Sequence, residues 1–275
     1  MIDIKKILHE DPGLFAGYCM TGFFVSVGML SLFWTPYDVT TIDVAARLAP
    51  PTSEHWFGAN QFGRDVLSML MAGTSATIFV ALIAVSLAIL IGVPLGLAAS
   101  AFSILDDVIM RTSDIVFAFP AIILAILLAA IYGPSAMNAA IAIAIFNVPI
   151  FARVTRGASL PIWKQNFVLA AKLSAKSRGT IAYQHILPNI APILLVQASI
   201  QFSMAVLAEA GLSYVGLGVQ PPSPSWGRML AESQSLVSIA PWLAIAPGLA
   251  IFLFVIGINL IAVGLRRRID PRALS

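Results

Sequence analysis

The chain has 275 residues, 59% hydrophobic and only 11% charged, with a mean hydropathy of +0.91. Soluble domains carry about 25% charged residues, so this composition excludes a solvated globule and leaves a polytopic membrane protein. The net charge of +3 does not mark a nucleic-acid binder, because no basic patch is interleaved with aromatic residues, and a single cysteine, Cys19, excludes a disulfide framework.

A bilayer core takes about 20 mainly apolar residues per helix, and six stretches meet that requirement. Residues 14–35 form the first. Lys5 and Lys6 precede it, but its apolar run is too long for a signal-peptide core, so it reads as an uncleaved anchor. A long, partly polar segment, 36–76, follows. The second span, 77–101, carries Gly92 and Gly96 around Pro94, a pattern of close helix packing and a kink. The third, 112–132, starts beside Asp114, three residues after Arg111 and spaced to pair with it. A tight turn at Gly133 and Pro134 leads to the fourth, 135–152. The fifth and sixth are 190–215 and 241–265. The expected fold is all-α with six transmembrane helices. It divides into an N-terminal segment 1–13, a transmembrane domain 14–265 and a tail 266–275.

Orientation follows from lysine and arginine, which gather on cytoplasmic loops. One set of faces holds Lys5, Lys6, Arg111, Arg153, Arg156, Lys164, Lys172, Lys176, Arg178, Arg266, Arg267, Arg268 and Arg272. The other holds only Arg47, Arg64 and Arg228. Both termini are therefore expected in the cytoplasm, and the basic balance is a topology signal.

The inner loop 153–189 is long and ordered in pattern. Its apolar positions suggest two short helices bracketed by Pro161 and Pro188. In the first, Phe167, Ala170, Ala171 and Ser174 share one face at i, i+3, i+4 and i+7, and three of the four are small. A loop that only fixes topology needs charge, not this order, so the face is a candidate surface for another protein.

No catalytic or ligand motif accompanies it. The chain lacks a phosphate-binding loop, a metal-binding H-E-x-x-H or C-x-x-C, and a nucleophile elbow. His9, His55 and His185 fall on opposite sides and cannot share a metal. An enzyme is not expected, and no cofactor is expected on this chain. Polar residues inside spans are costly in hydrocarbon. Among them are Asn138, Asn147, Glu209 and Asn259. Glu209 and Asn147 are the candidates for a translocation path. For Glu209 the other reading is a helix–helix hydrogen bond near the outer surface. Arg64 and Asp65, in the motif F-G-R-D-V, read as a structural pair that folds the outer segment.

Three stretches together resemble the permeases of bacterial ABC importers. Residues 167–189, "FVLAAKLSAKSRGTIAYQHILPN", are similar to the family's cytoplasmic coupling loop. Ala170 and Ala171 match its two alanines, and Ile186, Leu187 and Pro188 its closing motif. Leu169 stands where the family has Glu, and Ala175 where it has Gly. "HWFGANQFGRDVLSMLMAG" at 55–73 and "LAEAGLSYVGLGVQPPSPSWGRML" at 207–230 resemble the dipeptide, oligopeptide and nickel branch. The resemblance implies a bacterial inner-membrane subunit without catalysis of its own. It implies a heterodimer with a second permease, two ATPases that carry ATP and magnesium, and an extracytoplasmic binding protein. It also implies that Phe167, Val168, Leu169, Ala170, Ala171, Leu173, Ser174, Ala175, Leu187 and Pro188 form the ATPase-coupling site. Peptides are favoured as substrate over nickel, since no histidine or cysteine cage is present; opines and sugars belong to the same branch. Two rivals from other classes are a proton-coupled carrier using Glu209 and a non-transporting scaffold. A carrier usually shows internal repeats with broken helices, and no repeat is evident.

Overall fold

Asp11, Asp65 and Ser135 each place a side-chain oxygen where a helix begins. They accept from the backbone N–H of Leu14 (3.1 Å), Ser68 (2.7 Å) and Asn138 (3.1 Å), satisfying donors that the first turn leaves free. The computed structural model describes residues 11–269. Its helices are α1 (Pro12–Ser31), α2 (Val66–Ala101), α3 (Ser103–Ala118), α4 (Ala121–Tyr132), α5 (Ala136–Ile162), α6 (Asn166–Leu173) and α7 (Arg178–Ile181). A π-helical turn (Ala182–Ile186) leads into α8 (Leu187–Tyr214), followed by α9 (Trp226–Ser233) and α10 (Trp242–Ile269). Beyond helices, one isolated antiparallel bridge joins Ala59 and Asp65 among the described residues.

Five helices, α1, α2, α5, the continuous stretch ending in α8, and α10, are long and apolar enough to cross a membrane. The third expected span, 112–132, is not one helix. It is α3 and α4, bent by 83° at Phe119 and Pro120. Proline lacks the N–H that a continuing helix needs and drives its predecessor out of the helical region; Phe119 sits at φ −94°, ψ 126°.

Contacts between helices show that the chain returns from one end of the bundle to the other through this bent pair. Gly28 of α1 meets Thr74 and Ser75 near the start of α2, so α2 runs back alongside α1. Along α2 and α5, Gly92 faces Val148, Gly96 faces Ala152 and Thr155, and Ser100 bonds Trp163. The partners advance together, so α2 and α5 are parallel and the chain between them must return through α3 and α4. The stretch from α7, whose Arg178 bonds Ala101 at the end of α2, through α8 runs back toward the start of α2, where the N–H of Trp226, at the start of α9, reaches Thr77. α10 returns, and Arg267 near its end lies 3.8 Å from Asp11 at the start of α1. With the bent pair taken as one span the chain has six candidate spans, and both described ends lie at the same end of the helix bundle.

Glycines make the close approaches. A Cβ on Gly92 would meet the Val148 carbonyl at 2.6 Å, and one on Gly17 the Gly257 carbonyl at 2.7 Å. Without hydrophobic drive between helices in lipid, such backbone contact is what holds them. Phe24, Trp226 and Phe254 fill the centre edge to face, each pair 5.6 Å apart.

Several boundaries differ from expectation. Helix α2 begins at Val66, so residues 66–76 leave the outer segment. Residues 103–111 are helical, not a loop, and α5 continues to Ile162, so the inner loop starts at Trp163. Arg266, Arg267 and Arg268 belong to α10 rather than to a separate tail. The first ten residues and residues 270–275 of the expected terminal segments, with Lys5, Lys6, His9 and Arg272, lie outside the described residues. Asp114 pairs with Arg153 of α5, not with Arg111, and Asp106 pairs with Arg156. Antiparallel packing of α3 on α5 brings both carboxylates to arginines across the interface.

Candidate functional site

The inner loop is built around a small apolar core of its own. Val168, Ala171, Ile181, Ile186 and Ile190 are buried together, packed on Leu97 of α2, Ala158 and Ile162 of α5, and Leu194 of α8. The inward face of α6 is therefore set by Val168 and Ala171. Phe167, Leu169, Ala170, Leu173 and Ser174 are exposed. Ala171, expected on the outward small-residue face, is only 8% exposed. The branched Val168 fills the core, and Ala171, one helical turn on, must follow it inward.

Helix α6 ends in a Schellman motif. The N–H of Lys176 reaches the carbonyl of Ala171 (3.4 Å) and that of Ala175 the carbonyl of Lys172 (3.1 Å). This geometry puts Ala175 at φ +56°, the left-handed region where a Cβ is strained. The glycine that the family pattern has at this position would carry no such strain. Leu187 and Pro188 begin α8 directly after the π-helical turn, within one continuous helical stretch from Arg178 to Tyr214.

Polar contacts fasten the loop to the end of α2. Trp163 Nε1 donates to Ser100 Oγ (3.1 Å). The Arg178 guanidinium donates to the Ala101 carbonyl (2.7 Å) and lies over the Phe102 ring. That carbonyl is one of the acceptors a helix end leaves unsatisfied. Lys172 lies over Trp163, and Lys176 reaches Gln184 and His185. A displacement of α6 would thus be carried to α2, and through the α2–α5 glycine contacts to α5.

At the opposite end, Glu209 is fully buried. Its Oε1 accepts from Ser213 Oγ (2.6 Å), and that hydroxyl accepts from the Val219 N–H (3.1 Å). The hydroxyls of Thr77 and Ser225 stand beside the carboxyl, while Oε2 itself has no hydrogen bond among the described residues. Glu209 thus sits where α8, α2 and the segment before α9 meet. Asn147 is buried on α5, and no hydrogen bond joins it to Glu209 among the described residues.

The outer segment is organised by Asp65, and Arg64 is not its partner. Asp65 Oδ1 lies 2.9 Å from His55 Nδ1, while Oδ2 accepts from Ser68 N and Oγ, both at 2.7 Å. Ser68 Oγ in turn accepts from the Tyr37 N–H (3.0 Å). Arg64 instead lies over the Phe62 ring. Gly63, at φ +73°, leaves no room for a Cβ against the Asp43 carbonyl. The role of His55 was missed in the sequence, because its partner is ten residues away across an irregular loop.

Among the described residues no group of three or more His, Cys, Asp or Glu side chains could hold a metal ion. Residues 88–275 match the family model described as "Binding-protein-dependent transport system inner membrane component". A dipeptide transport system permease protein of Alkalihalophilus pseudofirmus is 39% identical, with 98% of this chain and 89% of that protein covered. A glutathione transport system permease protein of Pectobacterium atrosepticum is 39% identical, with 92% and 86% covered. A probable D,D-dipeptide transport system permease protein of Escherichia coli K12 is also 39% identical, with 89% and 84% covered. Among solved structures, the inward-facing methionine ABC transporter MetNI matches with a TM-score of 0.60 at 19% identity, covering 74% of this chain and 95% of that one.

Proposed function

Because this chain belongs to the family of inner membrane components of binding-protein-dependent transport systems, we propose that it is one of two permeases of an ATP-driven importer of short peptides. The relatives named for dipeptide and glutathione transport over nearly the whole chain support that substrate class. Nickel and other small solutes are the alternative within the branch. The end of the bundle that bears Arg153, Arg156, Lys164, Lys172, Lys176, Arg178 and Arg266 to Arg268 faces the cytoplasm, by the preference of basic residues for that side. The outer segment and α9 then face a binding protein that delivers the substrate.

The observation that carries the reading is the inner loop. It is a folded unit with its own core, it presents an exposed helix face, and it is tied to α2. ATP and magnesium act on two partner ATPases. Their closure on ATP would push α6, and the loop would pass a rigid-body shift to the crossings through Trp163–Ser100 and Arg178–Ala101. Glu209, enclosed and held by Ser213, acts as a structural joint near the outer surface. The test is uptake of a radiolabelled dipeptide by proteoliposomes holding both permeases and both ATPases, with the binding protein outside. Unlabelled di- and tripeptides should compete. Competition by nickel alone would replace peptide with metal as the cargo.

A further inference from the structure

We infer that the exposed side of α6 is matched to an ATPase groove with an apolar floor and an acidic rim; this rests on the coupling reading above and specifies the partner's chemistry. The inward side of α6 is seated on the ends of α2, α5 and α8 through Val168 and Ala171, so its other side faces away from the transmembrane bundle. That side is apolar. Leu169 is 45% exposed and Leu173, one turn on, is 89% exposed, with the exposed Ala170 beside them; Phe167, also 45% exposed, lies on a flank near His185, and Tyr183 of the following π-turn is exposed on the same loop. A cluster of large apolar side chains at the tip of a basic loop marks a surface that is covered in the working assembly.

Charge defines the rim. No Asp or Glu occurs anywhere between Asp114 and Glu209, whereas Lys164, Lys172, Lys176 and Arg178 surround the helix. The internal partners of three of them are neutral or aromatic: Trp163 for Lys172, Gln184 and His185 for Lys176, and the Ala101 carbonyl with Phe102 for Arg178. Their positive charge is left for an acidic surface to meet. Leu169 lies between, at the position where the family pattern has Glu. A charged groove residue opposite Leu169 would lose water and gain no partner, so the floor there is apolar. Basic and apolar residues together also suit a bilayer surface. Against that occupant stands the seating of α6 on the helix ends, which turns Leu169 and Leu173 away from the bundle.

The test uses the full chain, tagged and co-expressed with the second permease and the two ATPase subunits that complete its transporter. Binding of the ATPases to the purified permease pair is measured for the wild type, Leu169→Glu, Leu169→Lys, Leu169→Met and the double charge reversal Lys172→Glu with Lys176→Glu. Both charged substitutions at Leu169 should weaken binding about tenfold or more, since either leaves an unpaired charge in the contact, while Leu169→Met stays near wild type. The double reversal should weaken it, and added salt should weaken the wild type. Leu169→Glu binding as tightly as the wild type, or more tightly, would mean a basic groove and overturn the proposal. A wild-type pair that binds no ATPase would instead remove the coupling reading itself. A second arm places a fluorophore on Leu173→Cys in a Cys19→Ala background, in proteoliposomes. An aqueous quencher should reach it until the ATPases are added. Shielding before their addition would assign the face to the bilayer and overturn the proposal.

Discussion

Ala175 has φ +56° at the end of α6, a conformation that costs an L-residue with a Cβ about 1–2 kcal/mol. The Schellman hydrogen bonds from Ala175 and Lys176 hold it there. Ala175→Gly should therefore stabilise the loop by about 1 kcal/mol, after allowance for the extra freedom glycine has when unfolded. It should be read as slower exchange of the Lys176 amide or a higher thermal midpoint in detergent. A lower midpoint would contradict the strain. The two alanines of α6 should behave differently from one another. Ala170→Trp, on an exposed position, should leave folding intact and block ATPase binding. Ala171→Trp should overfill the core with Val168 and Ile181, at about 1–3 kcal/mol, and lower the yield of folded protein. Equal folded yields for the two would contradict the inward placement of Ala171.

At the scale of elements, the outer segment hangs on one carboxylate. Asp65 caps α2 and holds His55 and, through Ser68, Tyr37. Asp65→Ala should cost about 1–2 kcal/mol from the cap alone, and Asp65→Asn, which keeps an acceptor, should cost less. Thermal unfolding in detergent reads both, and an unchanged midpoint for Asp65→Ala would rule out this role. Much of the element layout was legible beforehand. Long apolar runs marked the candidate spans, and the first of the two short helices expected between Pro161 and Pro188 is α6; the second runs through the π-turn and Pro188 into α8, and Pro161 lies inside α5. The break at Pro120 was also written in the sequence, since a Phe-Pro step inside an apolar run disfavours a straight helix; hydropathy alone passed over it. The Asp114–Arg153 and Asp106–Arg156 pairs were not legible, because they depend on which helices become neighbours. The face of α6 was half legible. Small residues suggested a surface, but the direction of that face depended on Val168 finding a cavity among α2, α5 and α8. Glu209 was visible as a lone carboxyl in an apolar span, while its partner Ser213 lies one turn on and its enclosure comes from Thr77 and Ser225 on distant segments.

At the scale of the molecule, parallel packing of α2 and α5 and the meeting of Asp11 with Arg267 place both described ends at one end of the helix bundle. In the proposed orientation the basic end faces the cytoplasm. In a Cys19→Ala background, Ser53→Cys should react with an impermeant thiol reagent from outside intact cells whose outer membrane, if any, has been permeabilised, and Ser177→Cys should not. The reverse order of labelling would invert the assignment and leave the inner loop with no ATPase to meet. Energy coupling is the central claim, and it separates an ATP-driven importer from a carrier that cycles a proton on Glu209. Enclosed by Thr77, Ser213 and Ser225, Glu209 needs only its size and an acceptor, both of which Glu209→Gln retains. The direct measurement is dipeptide uptake by proteoliposomes with the complete assembly, with and without ATP on the ATPase side, and with and without an imposed pH gradient. Uptake that requires ATP, ignores the gradient and survives in large part in Glu209→Gln is the predicted result. Uptake that follows the gradient, ignores ATP and vanishes in Glu209→Gln would contradict the account.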